Sequence, residues 1–273
     1  MAKALEVLSV DFLRCLTFGP SGYGKTWLYS LMAFVDDFLP MEIADFDLGT
    51  ITLRSSLKDL PKEKWDQIEI NQYRDVANPG QAARSFLERL REINRKITLQ
   101  ENAPKTVILD SLTFLSKDIL DGVASDDSQP YAKRDHYLPQ MMHIEKHIQA
   151  LTALKCNVIV IGHEDIEKDE LTGNKARAID VTGKLSGRLP RYFNEVYYLT
   201  MKMDEMGNTR RVVQTAADSM VLGPKTAFPD VISANEPATV ELWKKLASAL
   251  KKNQAETKDA VAWWAQNSTA AKS

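Results

Sequence analysis

The feature that most constrains this chain is an eight-residue motif near its start, Gly19-Pro20-Ser21-Gly22-Tyr23-Gly24-Lys25-Thr26. The pattern Gly-x-x-x-x-Gly-Lys-Thr is that of a phosphate-binding loop, whose glycines let successive backbone N–H groups converge on phosphate oxygens. Lys25, which we expect on an exposed loop, supplies a flexible positive charge to the β- and γ-phosphates. The Thr26 hydroxyl is a ligand for Mg²⁺. All eight residues are therefore predicted to bind a nucleoside triphosphate.

The residues on either side of this motif supply the strand and the helix that such a loop needs. Residues 14–18 are mostly apolar and predict a buried strand that enters the loop. A helix is expected at 25–35, with the positive end of its dipole towards the phosphates. Apolar runs then alternate with helical patterns, which favours a parallel sheet covered by helices. Further strands are expected at 41–46, 67–71, 106–110 and 157–161.

The rest of the chain predicts helices, one long loop and a hairpin. Helices are expected at 78–98, with Asn78 as the N-cap, and at 138–155, with a polar loop at 122–134 between them. Residues 195–203 and 209–215 predict a β-hairpin, and the chain is expected to be helical from Glu236 to about Trp264. We therefore divide the chain into a core at residues 1–232 and a C-terminal helical extension with its tail at residues 233–273.

Composition narrows the class of protein. The formal net charge is −2, so the chain as a whole has no field that would attract nucleic acid or an anionic membrane. No apolar run approaches the roughly 20 residues that span a bilayer. Cys15 falls in a predicted strand and Cys156 directly precedes one, and two cysteines in 273 residues do not indicate a disulfide framework. These features predict a cytoplasmic protein without a membrane partner.

Other polar residues come at the carboxyl ends of predicted strands. Ligands of an open parallel sheet bind at that edge, so we expect these residues to lie near the phosphate loop. Asp110 ends the strand at 106–110 and is the expected Mg²⁺ partner. Asp45 and Asp47 end the second strand, and one of them would orient the water that attacks the γ-phosphate. We favour Asp47, although a capped turn is the structural alternative. His163 follows the fifth strand and would contact the γ-phosphate, unless it is only a solvated side chain.

The order of these motifs resembles the core of RecA-type ATPases: a phosphate loop, then strands that end in Asp-Phe-Asp, Asp-Ser and Gly-His-Glu. More narrowly, the chain resembles phage P-loop nucleotide-binding proteins that act as small RecA-like annealing or recombination ATPases. The resemblance covers roughly residues 14–232. It implies an α/β fold with a RecA-like P-loop core, in which a mostly parallel sheet is flanked by helices and followed by a C-terminal β-hairpin and a helical tail.

The resemblance also implies roles, cofactors and partners. Asp47 would activate water, at a position where the family commonly has Glu, and His163 would be the polar sensor, where recombinases usually carry Gln. Residues 164–181 would form the DNA-binding loop. The implied cofactors are ATP and Mg²⁺. The implied partners are single-stranded DNA, further copies of the chain in a ring or filament, and a single-strand-binding protein, in the host cytoplasm if the chain is phage-encoded.

The most basic stretch of the chain, residues 175–191, fits this interpretation. It contains a single acid, Asp180, and five basic residues: Lys175, Arg177, Lys184, Arg188 and Arg191. In a slightly acidic chain, such a stretch is suited to contacts with backbone phosphates of DNA. The same charges would also suit a subunit interface or contact with the ATP of a neighbouring copy.

These observations predict a DNA-stimulated ATPase in which Lys25, Asp47, Asp110 and His163 form the catalytic site and the whole phosphate loop binds ATP. Its action on single-stranded DNA would be annealing or strand exchange. Two alternatives remain open at this point. One is a nucleoside or nucleotide kinase, which shares the phosphate loop but generally needs an arginine-rich lid, and the other is a nucleotide-switched scaffold that hydrolyses ATP slowly.

Overall fold

The computed structural model describes residues 10–168, 175–204 and 206–270, and ten strands lie within these ranges. In chain order they are β1 (Arg14–Phe18), β2 (Met41–Asp45), β3 (Ile68–Gln72), β4 (Thr106–Asp110), β5 (Asn157–Ile161), β6 (Glu164–Lys168), β7 (Lys175–Ile179), β8 (Glu195–Met203), β9 (Thr209–Gln214) and β10 (Asn235–Pro237). Eight of them form one sheet in the order β10-β9-β8-β1-β5-β4-β2-β3, and β6 and β7 form a separate hairpin.

The large sheet is parallel from β3 through β2, β4, β5 and β1 to β8. The strands β9 and β10, at one edge, are antiparallel. Parallel neighbours need crossover connections, and helices supply most of them. All carboxyl ends of the parallel strands therefore lie at one edge, where the segments that follow β1, β2, β4 and β5 meet.

Helices cover both faces of this sheet. Among the described residues they are α1 (Lys25–Ser30), α2 (Leu53–Ser56), α3 (Lys62–Trp65), α4 (Gln81–Thr98), α5 (Leu112–Asp126), α6 (Tyr137–Thr152) and α7 (Val240–Ala270). Cys15 and Ile159 point into a core layer shared with α1 and α7, whereas Leu16 and Val158 point into a layer shared with α4, α5 and α6. Because strand side chains alternate between faces, covering both faces explains why neighbouring positions such as Cys15 and Leu16 are both apolar.

Several helix boundaries differ from the predicted ones for local reasons. The helix predicted at 25–35 is α-helical only to Ser30, because Leu31–Phe34 forms a 3₁₀ turn and Val35 is already extended. The helix predicted from Asn78 begins at Gln81, with Gly80 in the left-handed conformation as its N-cap. The loop predicted at 122–134 is helical as far as Asp126.

Gly122, inside this longer helix, has a packing role. A Cβ atom on Gly122 would lie 2.7 Å from Cα of Gly80, so α5 and the start of α4 approach each other at two glycines. Gly122, the first residue of the predicted loop, is therefore a close packing contact inside a helix.

The C-terminal part of the chain also differs from the prediction. Glu236, the expected start of a helix, lies in β10, which pairs with β9, and the helix begins at Val240. The DNA-binding loop predicted at 164–181 contains the hairpin of β6 and β7, and its residues 169–174 lie outside the described residues.

Helix α7 packs against the phosphate-loop helix through Trp243, which is fully buried. The Trp243 indole donates a hydrogen bond of 2.9 Å to the Leu28 carbonyl. Its ring centroid lies 5.3 Å from that of Tyr29 and 6.1 Å from that of Phe38. The first turns of α7 and the helix that follows the phosphate loop therefore share one core layer.

Replacing Trp243 with alanine tests this packing. We expect Trp243→Ala to lower the free energy of unfolding by about 3–5 kcal/mol, since it removes a large buried ring and leaves the Leu28 carbonyl unpaired. Urea unfolding measures the loss, and Lys244→Ala, at the exposed neighbouring position, should change stability by less than about 0.5 kcal/mol. Equal stability of the two variants would show that α7 does not contribute to the core.

Candidate functional site

The phosphate loop connects β1 to α1 with a backbone that only glycine adopts easily at two positions. Gly22 has φ 77° and Gly24 has φ 92°, and Gly24 is the N-cap of α1. Both values lie in the left-handed region, where a side chain would be strained. The loop thus presents its backbone N–H groups at the N-terminus of a helix, an arrangement that favours phosphate.

Lys25 is buried beneath the loop, with 6% of its surface exposed, so the expectation of an exposed side chain is wrong. Its ammonium group donates hydrogen bonds to the carbonyl oxygens of Gly19, at 2.8 Å, and Pro20, at 2.9 Å. Burial lowers the pKa of Lys25, and the carboxylates of Asp110, Asp47 and Glu164 oppose that shift. The position of Lys25 is set by the curvature of the loop, which the motif alone does not reveal.

Thr26 and Asp110 meet at the carboxyl edge of the sheet, as their predicted roles require. The Thr26 hydroxyl donates a hydrogen bond of 2.6 Å to the Asp110 carboxylate, which is 1% exposed. Burial and the nearby charge of Asp47 raise the pKa of Asp110 to about 7. A hydroxyl and a carboxylate beside a phosphate loop are the oxygen ligands that Mg²⁺ takes in nucleotide sites, so these two residues fit that ion.

The two aspartates after β2 have different surroundings. Asp45 is fully buried and accepts hydrogen bonds from the Gly49 and Thr50 amides and the Thr50 hydroxyl, so it holds the following turn in place. Asp47 accepts a bond of 2.8 Å from the Gly49 amide, and one of its oxygens lies 3.9 Å from Nε2 of His163. Asp47 is thus the aspartate that faces the other polar residues of the site.

His163 lies between the loop after β2 and the start of α5. Its backbone amide donates to the Thr113 hydroxyl at 3.1 Å, and its ring packs edge-on against Phe114, with 6.1 Å between centroids. The His163 ring lowers the pKa of Asp47 more than any other neighbour. The structure therefore brings together four of the predicted residues, Lys25, Thr26, Asp110 and Asp47, with His163 next to Asp47.

Glu164 also belongs to this site, although from the sequence it was predicted only as the first residue of the DNA-binding loop at 164–181. Its carboxylate accepts a hydrogen bond of 2.8 Å from the Tyr198 hydroxyl on β8 and pairs with Arg177 on β7 at 3.2 Å. Arg177 in turn donates to the Tyr198 hydroxyl at 2.8 Å. The signal was present in the sequence, because Glu164 directly follows His163 at the same edge of the sheet.

The remaining basic residues of the 175–191 stretch do not share this arrangement. Lys175, Lys184, Arg188 and Arg191 are exposed, whereas Arg177 is partly buried and paired with Glu164. Lys184 lies in the short helical turn Gly183–Leu185, and Arg191 lies in the turn Leu189–Tyr192. The structure thus separates one basic residue next to the nucleotide site from four at the surface.

Arg211, on β9, is a second residue that the sequence patterns did not reveal. Its Nε donates a hydrogen bond of 2.9 Å to the Tyr23 carbonyl within the phosphate loop. Its guanidinium carbon lies 4.6 Å from the centroid of the Trp27 ring. No local pattern connects residues 188 positions apart in the chain.

The sequence matches a known protein family over most of its length. Residues 11–224 match the family described as the AAA domain. The chain belongs to that family and is an ATPase of the P-loop type. The mostly parallel sheet with flanking helices, together with this match, confirms the predicted fold class.

Among solved structures, the chain is similar to the RadB recombinase, with 13% identity and a TM-score of 0.45 over 74% of this chain and 81% of that one. It is also similar to a prototypical ATPase from the type III secretion system of pathogenic bacteria, with 16% identity and a TM-score of 0.46, over 69% of this chain and 51% of that one. No curated protein matches the sequence significantly.

The described residues contain neither a membrane-spanning helix nor a clustered metal site. Within residues 10–168, 175–204 and 206–270, no helix is both long and apolar enough to cross a membrane. The same part of the chain contains no group of three or more His, Cys, Asp or Glu residues arranged to hold a metal ion.

The raised pKa of Asp110 predicts a pH-dependent stability of the nucleotide-free protein. Between the ordinary value of 3.8 and about 7, the folded state binds more protons than the unfolded state, so stability falls as pH rises through this window. Asp110→Asn keeps an acceptor for Thr26 but does not titrate. Its stability advantage over the wild-type protein should grow from pH 5 to pH 8 by on the order of 2 kcal/mol.

Urea unfolding at pH 5 and pH 8, with EDTA and without nucleotide, measures this difference. Asp118→Asn, another partly buried aspartate whose pKa is raised by burial, controls for the loss of a carboxylate away from the site. An advantage of Asp110→Asn that is the same at both pH values would show that Asp110 is not the group that titrates.

Proposed function

We propose that this chain hydrolyses ATP and couples ATP binding and hydrolysis to an action on single-stranded DNA, such as annealing or strand exchange. The observation that carries the nucleotide part is the 2.6 Å contact between Thr26 and Asp110, with Asp47 at the same sheet edge. The DNA part is supported by the RecA-like resemblance and by the exposed basic side chains at 175–191. Self-association into a ring or filament belongs to the same proposal.

In this proposal, the residues at the sheet edge divide the work of phosphoryl transfer to water. Catalysis of this reaction depends mainly on positioning and charge stabilisation. Mg²⁺, held by Thr26 and Asp110, would neutralise charge on the phosphates. Lys25 would exchange its bonds to the Gly19 and Pro20 carbonyls for bonds to the phosphates. Asp47, whose pKa the neighbouring His163 ring lowers, would accept a hydrogen bond from the attacking water.

A substitution at Asp47 can distinguish its proposed role as the general base from a role in nucleotide binding. We expect Asp47→Asn to keep its affinity for ATP but to lower kcat by roughly 10²-fold or more, the usual scale for loss of a general base. Asp45→Asn should mainly lower stability, because Asp45 holds the turn at Gly49 and Thr50. Phosphate release under saturating ATP measures turnover, and calorimetric titration measures affinity.

Lys25→Ala is the benchmark for this experiment, since it removes the positive charge of the loop and should abolish or greatly weaken ATP binding. Wild-type ATPase activity in Lys25→Ala would refute the nucleotide assignment. A loss of turnover with retained affinity in Asp45→Asn, but not in Asp47→Asn, would exchange their roles. A parallel assay for phosphate transfer to nucleosides and nucleoside monophosphates would reveal a kinase. The structure gives little support to that alternative, because Arg177, the arginine on the described part of the β6–β7 hairpin, is paired with Glu164 and is not free to act as a lid arginine.

The DNA part of the proposal is assigned to the exposed basic residues rather than to Arg177. Arg177 would have to give up its pair with Glu164 to contact DNA, whereas Lys184, Arg188 and Arg191 are exposed within eight residues of one another. Backbone phosphates carry no base sequence, so binding through these side chains would depend on salt and hardly on sequence.

The triple variant Lys184→Ala, Arg188→Ala, Arg191→Ala tests this assignment. We expect weaker binding of single-stranded DNA and a salt slope that falls by roughly 0.7 for each DNA phosphate that the variant no longer neutralises. ATPase activity without DNA should persist. The matched control removes three exposed lysines elsewhere, Lys62, Lys244 and Lys252. If basal ATPase activity collapses while DNA affinity is unchanged, these residues serve the nucleotide site or a subunit interface instead.

A further inference from the structure

Arg211, on β9, contacts the phosphate loop, and two partners fix its position. Its Nε donates to the Tyr23 carbonyl at 2.9 Å, and its guanidinium group lies over the Trp27 ring with 4.6 Å between the guanidinium carbon and the ring centroid. A planar guanidinium stacked on an aromatic ring loses little further freedom when it forms a hydrogen bond. The direction of the Tyr23 carbonyl is therefore set by a side chain from a distant strand.

Gly24 provides the space that Arg211 occupies. A Cβ atom on Gly24 would lie 2.7 Å from Nε of Arg211, closer than real Cβ atoms come to a neighbour. Gly24 therefore satisfies two requirements, the positive φ of the loop and the close approach of this arginine. The last glycine of the motif and Arg211 form one packing unit.

The peptide between Tyr23 and Gly24 links this contact to the phosphate side of the loop. Among the described residues, the cis peptides lie at Leu39-Pro40 and Asp110-Ser111, so this peptide is trans. In a planar trans peptide, the C=O and the following N–H point in opposite directions. A Tyr23 carbonyl directed at Arg211 thus directs the Gly24 N–H away from Arg211.

We infer that Arg211 is a positioning residue that keeps the Gly24 N–H directed at the phosphates of the nucleotide. This inference rests on the proposed nucleotide binding and extends it to β9, which lies outside the motif. Arg211 would act through the peptide plane and need not touch the nucleotide. The neighbouring Arg210 has a different partner, Asp204 at 3.0 Å, and an exposed side chain, so it offers a matched control.

Arg211→Met retains most of the length of the side chain but removes the donor and the charge. We expect ATP and ADP to bind about tenfold more weakly to this variant, the effect of about 1.4 kcal/mol. KM for ATP should rise while kcat changes less than about threefold, because the Gly24 contact would be made in both the ground state and the transition state. Arg211→Lys, which can still donate to the Tyr23 carbonyl, should recover part of the affinity. Arg210→Met should bind both nucleotides like the wild-type protein.

Calorimetric titration with ATP and ADP gives the affinities, and thermal unfolding without nucleotide gives the Tm of each variant. The inference requires Arg211→Met to lose affinity while its nucleotide-free Tm stays close to that of Arg210→Met. It is overturned if Arg211→Met binds ATP as Arg210→Met does, or if its Tm falls and Arg211→Lys recovers no affinity. Lys25→Ala distinguishes failure of the inference from failure of the proposed function. If Lys25→Ala no longer binds ATP but Arg211→Met binds it normally, only the inference fails. If Lys25→Ala keeps ATP, the proposed function fails and the inference fails with it.

Discussion

A cluster of buried and partly buried charges at the carboxyl edge of the sheet governs the rest of the site. The Lys25 ammonium interacts with the carboxylates of Asp110, Asp47 and Glu164, and burial makes these interactions stronger than they would be in water. Burial, and then the nearby charge of Asp47, raise the pKa of Asp110, so this carboxyl group, the most deeply buried of the three, holds a proton most easily. Such a set of oxygens favours a divalent cation, which would replace that proton and relieve the repulsion among the carboxylates.

The topology of the sheet brings these groups together. Thr17 in β1 and Asp110 in β4 are both in register with Ile161 of β5, so β5 separates the phosphate-loop strand from the strand that carries Asp110. The helix dipole and the loop amides approach the cluster from one side, and the turn after β2 approaches from the other. His163, two residues beyond the end of β5, lies near the turn after β2, with its Nε2 3.9 Å from Asp47. Each contribution comes from the end of a different parallel strand, and for this reason no single segment could hold the site alone.

What could be predicted from the sequence was decided by the range of the interactions. The phosphate loop, β1, β4 and β5 have local patterns, and the pairing of Thr26 with Asp110 follows once the strands are taken as parallel. Features that depend on packing between distant segments could not be predicted. Lys25 is buried because the loop folds over it, Gly122 is the point at which α5 packs closely against Gly80, and Arg211 reaches Tyr23 across 188 residues. Glycine is ambiguous in a sequence, since it marks both turns and close contacts.

The antiparallel hairpin of β8 and β9 connects the two halves of the nucleotide site. A Cβ atom on Gly19 would lie 2.5 Å from the Leu199 carbonyl oxygen of β8, and one on Gly24 would meet Arg211 of β9, so the hairpin requires glycine at both positions. Tyr198, next to Leu199, bonds to Glu164 at the base of the β6–β7 hairpin. Glycines that a phosphate loop needs for its ligand are therefore needed here for packing as well. A shift of the phosphate loop would therefore act directly on β8 and β9. Through the bond between Tyr198 and Glu164 it would also act on the β6–β7 hairpin, and β7 begins the basic stretch at 175–191.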